Sequence, residues 1–270
     1  MTLEELLRQE RDVVPPNPLA DRAEEIVARV RRRRRAAAVA AGAVITAVVA
    51  VAVVVVGQLL PRAPEPAEPS PSGPVLTLPQ TTEGVPIVPG RYVLPVLDAP
   101  ADWTLEPVVT VPEGFLGLDA GVTSGDFETD DARVLWLWNI DSVFTHPCEL
   151  GATAAPVGPT VADLAAALAA QPMRAATAPV PVTVGGYEGL YLELSVPDDI
   201  DPDACPVGRF SSWEGRWQQV PGQVDLLWIV DVDGQRITVD ASLSPGTSPQ
   251  EAAELTDMVA STRFVPVDDH

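Results

Sequence analysis

The longest apolar run in the sequence covers residues 36–60, where 25 consecutive positions carry no charge and are mostly Ala and Val. As an α-helix this run would be about 37 Å long, which exceeds the hydrocarbon thickness of a bilayer, about 30 Å. A buried core helix seldom runs so far without a polar face. The pattern therefore predicts one transmembrane helix in the lipid bilayer.

The two flanks of this run differ in charge. Arg31 to Arg35 precede it as five consecutive arginines, whereas Pro61 and a single Arg62 follow it. The positive-inside rule places the N-terminus in the cytoplasm and the C-terminal part outside the plasma membrane. A cleaved signal peptide is disfavoured because the run is longer than the apolar region of such peptides and no Ala-x-Ala site follows it. The run is expected to be retained as a signal anchor.

Residues 1–35 carry two short amphipathic patterns. Thr2 with Glu5 forms a capping-box pair before the first, and Asn17-Pro18 precedes the second. Helices this short are marginal alone, so residues 1–35 are a candidate site for a cytoplasmic protein partner. The layout resembles that of single-pass anti-sigma factors, although residues 1–60 contain no His or Cys for the zinc motif of that class. A short regulator of a sigma factor is therefore one alternative function.

Residues 61–90 form a spacer in this interpretation. Nine of these thirty residues are proline, mixed with Ser, Thr, Glu and Gly. Such a composition favours extended polyproline II and builds no core. At about 3.1 Å per residue, the spacer would reach on the order of 90 Å.

Residues 91–270 show the patterns of a folded extracytoplasmic domain. Apolar and polar residues alternate over residues 226–241 on both sides of Asp233-Gly234, which predicts a β-hairpin. A second hairpin is predicted around Gly185-Gly186. Residues 134–140 read as a strand that is apolar on both faces, which is typical of a central strand.

Two helices are predicted among these strands from their start signals. Thr160 and Asp163 begin the first, and Ser248-Pro249 with Glu251 begins the second. A last short strand is predicted around Phe264. The fold class is therefore α+β, with a mainly antiparallel sheet and two helices packed on it, preceded by one transmembrane helix and the Pro-rich linker.

Charge is divided unevenly along the chain, whose formal net charge is -21. Residues 1–35 hold nine arginines and seven acidic residues, whereas residues 61–270 hold eight arginines and 31 acidic residues. Nucleic-acid binding needs clustered bases that neutralise phosphates. The composition therefore excludes nucleic acid as a partner of the outer domain.

The two cysteines, Cys148 and Cys205, both follow the predicted membrane span. Outside the membrane they are expected to form a disulfide. The alternative is a metal site made by His146, Cys148 and Cys205, but a closed zinc site needs four ligands and the only other histidine is His270. No metal and no cofactor are expected.

One segment combines aromatic and basic residues in an otherwise acidic domain. Its candidate partner-binding residues are Arg209, Trp213, Arg216 and Trp217. Rigid aromatics beside guanidinium groups suit a protein interface, or a carbohydrate platform by stacking. The alternative is that both tryptophans fill the core and the arginines pair with acids.

Signals for catalysis are few. The sequence has no Gly-x-Ser-x-Gly elbow, and His146 stands beside Pro147 in the expected bridge loop. Two acidic clusters offer oxygen ligands for calcium but lack the full EF-hand loop, so solvated turns are favoured. These clusters are Asp126, Glu128, Asp130 and Asp131, and Asp198, Asp199, Asp201 and Asp203.

Four segments carry a resemblance to a protein group: Gly158 to Leu164, Gly185 to Gly189, Ser212 to Arg216 and Val230 to Gly234. They resemble segments of uncharacterised actinobacterial single-pass membrane-anchored proteins. The likeness covers most of residues 90–266 and includes the arginine-capped anchor, and it implies a location and no activity. The element order is also similar to that of Mog1/PsbP-like α+β domains.

The sequence thus predicts a non-enzymatic, membrane-anchored extracytoplasmic domain that binds or senses an envelope protein or glycan and signals to a cytoplasmic partner. A cell-envelope hydrolase is the second alternative function.

Overall fold

The computed structural model of the protein describes residues 73–125, 130–149, 154–205, 208–218 and 220–267. The predicted cytoplasmic segment, the predicted span at residues 36–60 and the first part of the predicted linker lie outside these residues. Within them, no helix is both long enough and apolar enough to cross a membrane.

The described part of the chain is built from short strands and two helices. The strands, in chain order, are β1 (Val75–Thr77), β2 (Val85–Pro86), β3 (Gly90–Val93), β4 (Val96–Leu97), β5 (Leu105–Val111), β6 (Leu116–Gly117), β7 (Gly121–Ser124), β8 (Arg133–Trp138), β9 (Ser142–Phe144), β10 (Ala154–Pro156), β11 (Ala175–Ala176), β12 (Val180–Val184), β13 (Tyr187–Ser195), β14 (Phe210–Trp213), β15 (Arg216–Gln218), β16 (Val224–Val232), β17 (Gln235–Leu243) and β18 (Arg263–Pro266). The helices are α1 (Val161–Ala169) and α2 (Pro249–Ala260), and a short 3-10 helix covers Pro202–Ala204.

The central sheet has the strand order β11-β13-β16-β17-β8-β7-β6-β2, with β12 also paired to β13 and β4 to β8. A second sheet has the order β1-β3-β5-β18, and β9-β10 and β14-β15 form two small sheets. The pairs β1-β3 and β4-β8 are parallel, and the other described pairs are antiparallel. The predicted α+β class with a mainly antiparallel sheet is confirmed.

Both predicted hairpins are present. In β16-β17, Val232 pairs with Gln235 around Asp233 and Gly234, whose φ angles are 53° and 87°. Two positive φ angles in a two-residue loop match the right-handed twist of the strands, which explains the Asp-Gly preference. Gly185 and Gly186 likewise have positive φ between β12 and β13. The strand predicted near residues 134–140 is β8, which lies inside the sheet between β17 and β7.

The central sheet has an apolar cluster on each face. Along β16, Trp228 and Val230 belong to one cluster, whereas Leu227 and Ile229 belong to the other. Successive strand residues point to opposite faces, so the two clusters lie on opposite sides of the sheet. Buried residues of α2 (Leu255, Met258 and Val259) join the first cluster, and those of α1 (Leu164, Ala165 and Leu168) join the second.

Each helix begins with a full capping box, as predicted. The Thr160 side chain accepts from the Asp163 backbone N–H, and the Asp163 carboxylate accepts from the Thr160 backbone N–H. Ser248 and Glu251 make the same reciprocal pair at α2. These bonds satisfy N–H groups that a helix start otherwise leaves without partners.

The folded region begins earlier than the sequence indicates. Strands β1 and β2 lie inside the segment 61–90 that composition assigns to the linker. The high proline content indicated a linker, but the segment also contains the apolar residues Leu76 and Leu78. Leu78 is buried in the core. Pairing of β1 with β3 and of β2 with β6 ties this stretch to both larger sheets.

Candidate ligand-binding site

The aromatic and basic segment singled out in the sequence forms the β14-β15 hairpin. Its turn contains Gly215 with φ of 78°, a conformation that L side chains rarely adopt. The register shifts between Ser211 and Trp213, so the hairpin carries a bulge. That irregularity explains why the strand alternation was poor in the sequence.

The structure divides the four predicted binding residues into two pairs. Trp213 and Arg216 are 2% and 3% exposed and lie in the interior. Trp217 is 38% exposed, and the Cζ atom of the exposed Arg209 lies 4.4 Å from the centroid of its ring. The different burial of Arg216 and Trp217 follows from the alternation of side chains along β15. Arg216 and Gln218 point inward, and Trp217 points outward.

Arg216 is the centre of a buried ionic network beneath the hairpin. Its Nε donates to Asp240 and its Nη2 donates to Asp225, each at 2.7 Å. Arg174, in the segment after α1, donates from Nη2 to the second oxygen of Asp225, also at 2.7 Å. Two guanidinium groups therefore face two carboxylates, and the formal charges balance in a site where all four side chains are buried.

Neutral side chains complete the network. Asp225 also accepts from the amides of Gln218 and Gln223 at 2.9 and 3.0 Å, and the Ser242 hydroxyl lies 3.0 Å from an oxygen of each carboxylate, with one proton to donate to one of them. The bonds to both carboxylates offset part of the cost of removing the charges from water, while the buried Nε of Arg174 has no hydrogen-bond partner among the described residues. The network joins the hairpin to the two central strands β16 and β17.

The pKa values of the two carboxylates are shifted in opposite directions. Burial raises the pKa of Asp225, but the charges of Arg216 and Arg174 outweigh it, so the pKa lies below its usual range. Burial and then the Asp225 charge hold the pKa of Asp240 above its usual value, although Arg216 opposes the shift.

Sequence reasoning did not find Asp225 and Asp240. A signal was present for Asp225, which interrupts a strand that is otherwise mostly apolar, but not for Asp240, because β17 also contains Gln, Arg, Thr and Ser. Asp225 is buried within β16, whereas Asp231 near the end of the same strand is exposed, and a buried carboxylate is favoured by a paired cation.

A small cavity opens beside the network, with a volume of about 40 Å³. Two tryptophans, Trp136 from β8 and Trp217 from β15, contribute to its wall. The Arg216 guanidinium lies 5.2 Å from the centroid of the Trp136 ring. The remaining lining residues are Ala132, Val134, Gly215, Gln223, Ser242 and Ser244.

The predicted disulfide is confirmed. Cys148 and Cys205 are joined, with Cα atoms 5.0 Å apart and a sequence separation of 57 residues. The bridge lies close to the hairpin, since Ser211 donates its backbone N–H to Pro147 at 2.9 Å. Both sulfurs are used in the bridge, which removes them from the alternative metal site.

The other sequence candidates lie apart from this site. His146 is exposed, with its Nδ1 3.1 Å from Thr145 Oγ1 and 4.0 Å from Glu149. Asp201 accepts from the Asp203 backbone N–H and caps the 3-10 helix. Asp126, Glu128 and His270 lie outside the described residues, and the described residues include no cluster of three or more His, Cys, Asp or Glu that could hold a metal ion.

Comparison with known proteins gives one structural similarity. No family model matches the chain, and no curated protein matches it. The chain is similar to LpqN, a protein involved in cell envelope biogenesis of Mycobacterium tuberculosis, with 14% identity over 68% of this chain and 91% of LpqN and a TM-score of 0.29. A TM-score of this size establishes no shared fold, so the site is interpreted from its own residues.

Proposed function

We propose that the chain is a single-pass plasma-membrane protein whose extracytoplasmic domain binds a cell-envelope component through the β14-β15 hairpin. This proposal depends on one observation: Trp217 is exposed beside a cavity, and the hairpin that presents it is bonded to the buried ionic network. Exposed aromatic anchors with fixed geometry are the residues that dominate binding energy at interfaces. The anchor, the arginine block and the disulfide support the extracytoplasmic location.

The hairpin is held in place before any ligand arrives. The Arg216 guanidinium bonds it to β16 and β17, and the Cys148–Cys205 bridge ties down the chain that leads into it. A site that is ordered in advance loses less conformational entropy on binding. Each carboxylate of the network is paired with a buried guanidinium group, which favours a binding role over that of an acid or base.

Photocrosslinking in intact cells tests this function. A photoreactive amino acid replaces Glu214, which is exposed in the turn of the hairpin, or Glu188, which is exposed in the β12-β13 hairpin and serves as the matched control. We expect an adduct with an envelope component from position 214 and none from position 188. Equal adducts from both positions, or none from either, would contradict the proposal.

The location has its own test. One epitope tag precedes Met1 and another follows His270, and protease is added outside intact cells. We expect the C-terminal tag to be removed and the N-terminal tag to be protected. Protection of both tags would place the domain inside the cell.

The alternative functions have different observables. An envelope hydrolase would give turnover with the purified full-length chain and envelope glycan or peptide, whereas a binding protein gives only saturable capture. A sigma-factor regulator would retain its partner in a pull-down with the full-length chain and lose it when residues 1–35 are deleted.

A further inference from the structure

The cavity beside Trp217 admits part of a ligand and not the whole of it. Its volume of about 40 Å³ exceeds the roughly 10–15 Å³ that one water needs. Enclosed pockets for whole small molecules begin at about 300 Å³. A ligand that uses this site therefore places one short substituent in the cavity and lays its remaining surface on the exposed Trp217.

The charges around the cavity disfavour an anionic substituent. Arg216 is the one cation among the described residues that line the cavity, and it donates Nε to Asp240, Nη2 to Asp225 and Ser242, and Nη1 to the Trp217 carbonyl. At most one of its five N–H groups is left, so it cannot clamp a carboxylate or phosphate with two bonds. The excess of acidic residues in the domain adds repulsion.

A cationic substituent is disfavoured for a different reason. The Arg216 guanidinium lies against the Trp136 ring, and the Arg209 guanidinium lies against the Trp217 ring. Both indoles already hold a cation at distances typical of cation–π contacts. The ring faces that these guanidinium groups cover are therefore not available to a cation of the ligand.

The lining groups indicate what a neutral ligand must offer. Ser242, Ser244 and Gln223 line the cavity together with the two tryptophans, and the Ser242 hydroxyl and the Gln223 amide are already bonded to the ionic network. Ser244 is 4% exposed, so its polar group lies in a largely buried wall of the cavity. Neutral hydroxyl or amide groups on a ring with an apolar C–H face satisfy both features, because the face stacks on indole and the polar groups bond to hydroxyls.

We propose that the Trp217 cavity is a binding site for a neutral saccharide. The sugar ring stacks on Trp217, and one hydroxymethyl or acetamido substituent enters the cavity toward Ser244. This inference rests on the proposed binding function and specifies its ligand. Arg209 acts as a positioning residue that holds the Trp217 ring.

Calorimetry and ligand-observed NMR test the proposal with the full-length chain in phosphatidylcholine nanodiscs. The soluble probes are oligomers of N-acetylglucosamine and of glucose, with oligogalacturonate as the anionic control. We expect saturable binding of a neutral oligomer, none of the oligogalacturonate, and binding about tenfold weaker in Trp217→Ala. Trp217→Phe should recover part of the affinity.

A second tryptophan supplies the matched control. Trp103 lines a separate cavity of about 400 Å³ and stacks on Phe264 at 6.4 Å. Trp103→Ala should leave saccharide affinity unchanged, and Ser244→Ala should weaken it. Loss of binding in Trp103→Ala with full binding in Trp217→Ala would overturn the assignment.

A co-sedimentation experiment distinguishes two sources of a neutral sugar, a lipid headgroup and a wall glycan. Phosphatidylcholine vesicles with and without a neutral glycolipid are co-sedimented with the full-length chain. Capture only by glycolipid vesicles assigns a lipid headgroup, and binding of soluble oligomers assigns a wall glycan; either supports the proposal. Absence of both, with the position-214 adduct retained, would overturn the saccharide inference alone, whereas loss of that adduct as well would overturn the binding function.

Discussion

The Cζ atom of Arg209 lies 4.4 Å from the ring centroid of Trp217, so that two exposed side chains form a stacked pair on the outside of the β14-β15 hairpin. One strand position away, Arg216 points into the protein and is bonded to Asp225 and Asp240. The hairpin therefore has a surface side and a structural side, and substitutions on the two sides should behave differently.

Trp217 and Trp213 provide the first contrast. Trp213→Ala removes an interior side chain that is 2% exposed, and we expect it to lower the free energy of unfolding by about 3–5 kcal/mol. Trp217→Ala loses a half-buried surface contact and should cost about 1 kcal/mol or less. Urea unfolding followed by circular dichroism measures both. Equal costs would mean that Trp217 is a core residue and not a surface anchor.

Arg216 should be essential for stability because two buried carboxylates depend on it. Arg216→Met leaves Asp240 with no cation and Asp225 with one, and we expect a loss of about 3–5 kcal/mol in the free energy of unfolding. The matched control is Arg263→Met, an exposed arginine whose change should stay within about 0.5 kcal/mol. A small cost at Arg216 would contradict the observed network.

Asp225 should make stability depend on pH in the acid range. Its pKa is lower in the folded state than in the unfolded chain, where it is about 3.9, because Arg216 and Arg174 favour the carboxylate. Its contribution is therefore present above about pH 4 and is lost as pH falls through the folded-state pKa.

The variant Asp225→Asn isolates this effect. It should be less stable than the wild type at neutral pH and should lose less stability as pH falls below about 4. Asp240 acts in the opposite direction, because its raised pKa reduces stability as pH rises through it. Urea unfolding at a series of pH values measures the slopes, and an acid slope unchanged by Asp225→Asn would contradict the lowered pKa.

The disulfide should stabilise the folded state because it closes a loop between two cysteines separated by 57 residues. Chain-entropy arithmetic gives about 4 kcal/mol for a loop of this length. The double variant Cys148→Ala with Cys205→Ala should unfold at lower urea, and reductant should shift the wild type by a similar amount. Reductant should have no effect on the double variant, which is the control. If reductant did not change the urea midpoint of the wild type, the bridge would contribute little to the free energy of unfolding.

Local patterns predicted much of the domain. The β16-β17 and β12-β13 hairpins, both helices and the last strand were evident because their turn and capping residues act over two to four positions. Strands of two residues, such as β2, β4 and β6, were not predicted. A strand this short has too few positions to show an alternating pattern of apolar and polar residues. Its extended conformation depends on hydrogen bonds to the neighbouring strand.

The candidate site shows the same division. The sequence brought Arg209, Trp213, Arg216 and Trp217 to attention because aromatics and arginines are concentrated there in an acidic domain. It could not assign which of them face outward, because a bulge shifts the alternation between Ser211 and Trp213.

By itself, the sequence determined the α+β class, the hairpin turns, the helix starts and the pairing of its only two cysteines, because each rests on local chemistry or on composition. Only the tertiary structure decided that Arg174, Arg216, Asp225 and Asp240 meet. These residues come from four separate segments, and a buried charge finds its partner through strand register and packing, which act across long sequence distances.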